Sequence, residues 1–121
     1  MKKILLTFLI CSGILLAEST HQLQWEGENK NKLTWNEAIE YCDDLSISGK
    51  NDWRLPELSE LAKYAWEVGH REGSLNNPSY YWSASTYPHF KKAAWFVSFS
   101  GVYQHFSIKT NTLYVECVRT K

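Results

Sequence analysis

The 121-residue chain predicts an α+β fold whose elements run strand, helix, helix and then several antiparallel strands. Three observations carry that class. Two stretches near the middle repeat their apolar residues at helical spacing, the sequence beyond Gly73 turns to strand composition broken by turn residues, and a hairpin signature surrounds Ser100-Gly101.

The elements follow in order. Leu23-Gln24-Trp25 reads as a short strand, and Gly27 to Lys32 as a polar, turn-rich link. Thr34, followed three residues later by Glu37, forms a capping-box signature in which each side chain satisfies the other residue's backbone N–H. Trp35, Ala38, Ile39, Cys42 and Leu45 then share one helical face, and Gly49 is the expected stop. Pro56 suits the first position of a second helix, whose stripe of Leu58, Leu61, Ala62 and Ala65 leads to a stop at Gly69. Asn76-Asn77-Pro78 reads as a loop, and Tyr81-Trp82-Ser83-Ala84-Ser85 as a strand without clean alternation. Ala94 to Phe99 and Val102 to Ile108 make the hairpin, and Leu113 to Val118 alternates as a final strand carrying Cys117 into the core. No repeat or low-complexity segment interrupts this order.

The first 17 residues have the layout of a signal peptide: Lys2 and Lys3, an apolar stretch from Ile4 to Leu16, and the small residue Ala17. That stretch is shorter than the roughly 20 apolar residues a membrane-spanning helix needs, and no later segment reaches even its length. The sequence therefore predicts an exported protein, in the periplasm, at the cell surface or secreted, with no transmembrane segment in the mature chain. A retained N-terminal anchor is the alternative. Cys11 is a poor lipidation site, because Ile10 before it is not small and the apolar run continues past it. Residues 18–121 are then expected to form a single domain with a core over about 23–120, since this length supports one sizeable core.

Basic and acidic residues balance over the whole chain, and loss of Lys2 and Lys3 with the leader leaves a net charge of about −2. Net charge thus gives no reason to expect a nucleic-acid partner. All six Trp and all seven Tyr lie beyond the leader, enough to build a tight core or a stacking surface for a ligand.

Cys42 and Cys117 remain in a compartment where thiols oxidise, so a disulfide between them is the first reading. The rival reading is a cysteine nucleophile with a base among His21, His70, His89 and His105. The histidines do not stand at metal-ligand spacing with a partner carboxylate, and no metal or other cofactor is expected. Asp43-Asp44 and Glu57 with Glu60 read as solvated helix faces. Arg54 is expected to pair internally with a carboxylate such as Glu60, and Trp53 and Trp82 to lie in the core. The candidate ligand-binding residues are Tyr87, His89, Phe90, Lys91 and Lys92, in a loop from Thr86 to Lys92 where aromatic and basic groups interleave.

Thr34-Trp35-Asn36-Glu37-Ala38, Cys42, Asp52-Trp53-Arg54-Leu55-Pro56, Glu60-Leu61, Tyr81-Trp82-Ser83 and Cys117-Val118-Arg119 fall in an order that resembles the Lcl C-terminal domain family, the C-terminal domain of bacterial collagen-like adhesins. The resemblance covers roughly residues 23 to 120. It implies a C-type-lectin-like fold related to the formylglycine-generating enzymes: two helices beside a twisted antiparallel sheet, chain ends close together, and one helix-to-strand disulfide, for which Cys42 and Cys117 are suitably placed. The Glu-Pro-Asn or Gln-Pro-Asp loop and Trp-Asn-Asp strand of calcium-dependent lectins are missing, so no calcium site is implied. The copper-binding cysteine pair of the formylglycine-generating enzymes is not to be expected either, with both cysteines taken by the bridge.

The function expected is a non-enzymatic binding or adhesion module whose ligand is a glycan, a glycosaminoglycan-like sulfated polymer or an envelope protein. The alternatives are a degenerate relative of the formylglycine-generating enzymes with residual catalysis, and a purely structural envelope protein.

Overall fold

A computed structural model describes residues 22–27, 31–72 and 79–121; the leader with Cys11, His21 and the Asn76-Asn77-Pro78 loop lie outside them. Its elements are β1 (Leu23–Trp25), β2 (Lys32–Leu33), α1 (Trp35–Asp44), α2 (Leu58–Glu72), β3 (Tyr80–Thr86), β4 (Ala93–Ser98), β5 (Tyr103–Ile108), β6 (Leu113–Tyr114) and β7 (Val118–Thr120).

The capping box forms as expected. The Glu37 N–H donates to Thr34 Oγ1 at 3.3 Å, and the Thr34 N–H to Glu37 Oε1 at 3.0 Å. The helix ends at Asp44 rather than near Gly49. Asp43 and Asp44 place negative charge at the negative end of the helix dipole, with no basic residue in the last turn to offset it. Gly49 instead sits in a separate tight turn, with φ +79°, closed by the bridge between Ile47 and Lys50.

α2 begins two residues after Pro56, because Pro56 is tied to β3: it is fully buried and its carbonyl accepts the Ala84 N–H at 2.7 Å. The helix also runs through Gly69 to Glu72. One interior glycine costs about 1 kcal/mol relative to alanine and does not by itself end a helix.

Five strands form a sheet in the order β2-β6-β3-β4-β5, and β1 pairs with β7 in a separate two-stranded sheet. The β4–β5 hairpin is antiparallel and in unbroken register from Ala93 opposite Ile108 to Ser98 opposite Tyr103. The expected all-antiparallel sheet is corrected at one place: β3 and β6 run parallel where Tyr81 meets Tyr114. The chain crosses from β5 at one edge to the far side of β3, and a crossover is what produces a parallel neighbour.

The final strand is also corrected, since Leu113 to Val118 splits into β6 and β7 with buried Val115, Glu116 and Cys117 between them. β7 leaves the larger sheet to meet β1 and to exchange backbone bonds with Arg54, 2.9 and 2.8 Å long. β2, which starts at the last residue of the stretch read as a polar link, is a two-residue strand held by β6.

The core has two parts on opposite faces of the sheet. Trp82 pairs with Phe96 on one face and Tyr81 with Val97 on the other, because neighbouring residues of a strand alternate sides. Trp82, Phe96 and Ala94 pack with Ala38 and Cys42 of α1 and with Trp53, Leu55, Val115 and Cys117. Val97 packs with Leu61 and Ala65 of α2, flanked by Trp25, Tyr81 and Phe99. Cys42 and Cys117 are bonded, fully buried, with Cα atoms 5.6 Å apart; the bridge joins α1 to the residue just before β7.

Candidate ligand-binding site

The segment from Tyr87 to Lys92 connects β3 to β4 through two tight turns. The Tyr87 N–H donates to the Ala93 carbonyl at 2.9 Å, Phe90 N–H to Tyr87 O at 3.3 Å, and Ala93 N–H to Phe90 O at 2.9 Å. This geometry divides the predicted loop residues into two groups facing different surroundings.

The aromatic group turns toward β5. The half-buried Tyr87 ring stacks on Phe106 at 4.1 Å and meets Trp95 edge-on at 5.1 Å, while His89 lies edge-on to Tyr87 at 5.5 Å. Phe90 is exposed.

Lys91 and Lys92 belong to the other group. They line a groove of about 360 Å³ together with Trp35 and Asn36 from the start of α1 and Ile108, Lys109 and Thr110 at the end of β5. Tyr87, His89 and Phe90 do not line it. The groove therefore joins part of the predicted loop to residues the sequence reading had not connected with it.

Lys109 is the groove residue that reading missed. Its N–H donates to the Lys92 carbonyl at 2.8 Å, its carbonyl accepts the Trp35 N–H at 3.1 Å, and its ammonium lies 3.9 Å from the Trp35 ring centroid while donating to Thr86 Oγ1 at 2.9 Å. The backbone thus ties the loop, the end of the hairpin and the start of α1 into one corner. A signal for Lys109 existed, since extending the hairpin register one step beyond Ala93 and Ile108 sets Lys92 opposite Lys109.

Trp35 is held for a role in that corner. Its indole N–H donates to the Ser83 carbonyl at 2.9 Å, which fixes the ring while part of it stays open to solvent. Three lysines and a fixed indole lining one groove, with no carboxylate among the lining residues, make a concave surface suited to an anion attached to an apolar or sugar ring.

The family model of the Lcl C-terminal domain matches residues 15–119. The chain belongs to that family. No curated protein matches it significantly.

In this Lcl C-terminal domain the other motif residues serve the scaffold. Trp53, Leu55, Pro56 and Trp82 are buried; the Trp53 indole donates to the Lys50 carbonyl at 3.1 Å and the Trp82 indole to the Leu33 carbonyl at 2.9 Å. Arg54 grips both carboxylate oxygens of Glu60 at 2.8 and 2.9 Å, and this pair holds the Glu60 carboxyl below its ordinary range. Arg54 is thereby committed internally, as the sequence predicted.

A larger cleft, about 600 Å³, lies between β1 and α2 and includes Trp25, Glu60, Lys63, Tyr64, Glu67 and Lys121. Its charges are mixed and Glu60 is already engaged, so it offers no net field to an anion.

An acidic cluster lies beside the disulfide, with Glu116 buried and Glu26 and Tyr41 partly exposed. Glu26 accepts the Cys117 N–H at 3.0 Å through one carboxylate oxygen and the Tyr41 hydroxyl through the other, and Glu116 accepts the Gly27 N–H at 2.8 Å. Burial pushes the Glu116 carboxyl up to about 8, and burial with the Glu26 bond pushes the Tyr41 hydroxyl up to about 12.

Proposed function

We propose that this chain is an exported, non-enzymatic binding module of adhesin type, which holds an anionic polymer such as a sulfated glycan in the groove of Lys91, Lys92 and Lys109. The observation that carries this reading is the meeting of three lysines from two separated segments in one groove with Trp35, Lys109 lying over its ring, without a carboxylate in the lining. In a chain close to neutrality, local sign decides what the surface attracts. Lysine supplies a mobile point charge for sulfate or carboxylate, and Trp35 supplies a stacking face for a sugar ring.

The non-enzymatic part rests on the cysteines. Both cysteines beyond the leader are consumed in a buried bridge, which supports a structural role over a nucleophilic one. Export is supported by the leader pattern and by a disulfide that needs an oxidising compartment. In the described residues no helix is long and apolar enough to cross a membrane. A C-type-lectin-like fold is supported by the bond from the first long helix to the last segment, and by the Lys121 N–H meeting the Gln22 carbonyl at 3.0 Å, which brings the domain's ends together.

Heparin titration with unsulfated dextran as the control tests the reading. Binding to heparin is expected, weakening as salt rises to the range where the Debye length is about 8 Å. Combining Lys91→Glu with Lys92→Glu is expected to abolish it, and Tyr87→Ala, outside the groove, to leave it nearly unchanged. Unchanged heparin affinity after the double reversal, with the circular dichroism intact, overturns the groove as the site and favours an envelope-protein ligand or a structural role.

A further inference from the structure

β5 is the edge of the five-stranded sheet; among the described residues no strand pairs with its outer side, where the Ile108 carbonyl accepts the Asn111 N–H at 3.1 Å. Proteins normally guard such an edge with charge, proline or a bulge. Tyr103-Gln104-His105-Phe106-Ser107-Ile108 contains no lysine, arginine, acid or proline, and its pairing with β4 has no bulge. The opposite edge shows the guarded state: β2 has two residues, and one of them is the exposed Lys32. Apolar exposure gathers at the unguarded edge, where Tyr103, Phe106 and Ile108 are 48%, 37% and 43% exposed.

We propose that β5 pairs antiparallel with β5 of a second copy of this chain, joining two sheets across a two-fold axis with Phe106 facing Phe106. This interface is separate from the lysine groove and does not depend on its ligand. The backbone chooses the register. The Lys109 N–H points to Lys92, so by alternation Ser107, His105 and Tyr103 turn their backbone groups toward β4, and Ile108, Phe106 and Gln104 turn theirs outward. A two-fold axis normal to the sheet keeps facing residues on the same side, so each must share parity with its partner. With Phe106 opposite itself, Gln104 faces Ile108, so each outward residue of the strand has a partner, the Ile108 carbonyl sharing its second lone pair with the Asn111 N–H. With His105 opposite itself, Ile108 would need Val102, which has φ +48° and lies outside the strand.

Charge favours the antiparallel over the parallel pairing of two copies. The contact strand carries no lysine, and the lysines flank only its Ile108 end. Antiparallel pairing sets Lys109 of each copy opposite Tyr103 of the other, so the two Lys109 positions lie about 20 Å apart along the strands. That exceeds the Debye length of about 8 Å at physiological salt, so the basic groups do not oppose association. Parallel pairing would place them side by side.

Sedimentation of the purified full-chain protein tests the proposal. Its mass is expected to double as concentration rises to about 100 µM. Phe106→Lys is expected to keep it monomeric over the same range with unaltered circular dichroism. Phe106→Cys should form a covalent dimer on oxidation, because facing hydrogen-bonded residues have Cα atoms about 5.5 Å apart, inside the roughly 4.4–6.8 Å range of a disulfide. His105→Cys should not, since its facing residue is Ser107. A wild type monomeric throughout overturns self-pairing and leaves the edge to a strand from another protein. A dimer that survives Phe106→Lys, or equal cross-linking by His105→Cys, overturns the interface. Should Phe106→Lys fail to fold, the two cysteine variants decide alone.

Discussion

Glu116 shows how one residue's environment reverses its ordinary chemistry. It is 5% exposed, and burial, reinforced by the negative Glu26 nearby, outweighs the bond from Gly27 and raises its carboxyl to about 8. The folded chain therefore holds a proton that the unfolded chain releases near the ordinary glutamate value of about 4.5. Between those values the native state binds more protons, so stability falls as pH rises, by about 1 kcal/mol per unit at its steepest. Urea midpoints measured from pH 5 to pH 8 should decline, and Glu116→Gln should flatten that decline; parallel curves for the two proteins would contradict the assignment. The alternation expected over Leu113 to Val118 correctly carries Cys117 inward but does not hold for Glu116, which is buried because the strand breaks at Val115, Glu116 and Cys117. Trp53 and Trp82 were legible, since a large aromatic in a spaced motif has few places to go but the core. Trp82→Ala should cost about 3–5 kcal/mol, the half-exposed Trp35→Ala about 2, and Thr34→Ala, which removes a cap, about 1. Chemical denaturation gives the ranking, and an equal loss for Trp82 and Thr34 would refute it.

Among the elements, α1 was readable to within a few residues because capping box, stripe and cysteine all agree on it. β2 was not, because two residues carry no period and the strand exists only where β6 supplies its partner. The hairpin was read correctly while its turn was misjudged: the left-handed residue is Val102, with φ 48°, rather than the permissive Gly101 beside it. The same register contained Lys109, which lies one step past the predicted strand end and so stood outside the candidate loop. The disulfide was legible from chemistry alone, two cysteines in an oxidising compartment, and what it ties is α1 to the turn where the chain leaves one sheet for the other. It closes 75 residues, worth roughly 4 kcal/mol in the chain-entropy model. Cys42→Ser with Cys117→Ser should lower the denaturation midpoint accordingly, and alkylation of the native wild type without reductant should label neither residue. Labelling of both would show the bridge to be absent.

At the scale of the whole molecule, the sheet separates two cores that are secured differently. The cluster on the α1 face holds the disulfide and two buried tryptophans, Trp53 and Trp82; the cluster on the α2 face has as its buried members Leu61, Ala65 and Val97 among the described residues. α2 is attached at its start by the Arg54–Glu60 pair and by the Leu58 N–H on Ser85 Oγ at 3.2 Å, and no covalent link holds it. Opening free energies within one native protein follow such differences in buried contact, and elements with fewer buried partners open first. Hydrogen exchange of the oxidised protein in mild denaturant should therefore show α2 amides exchanging through a smaller opening free energy than those of α1, β3 and β4. Val97→Ala should lower the α2 value while leaving that of α1 largely in place, because its side chain faces only the α2 side. The lysine groove is built from the start of α1 and from the hairpin end beside it, on the part of the molecule that opens last, so conditions that release α2 should leave heparin binding intact. One opening free energy shared by both helices, or loss of heparin binding in step with α2 exchange, would show that the two faces form a single cooperative unit.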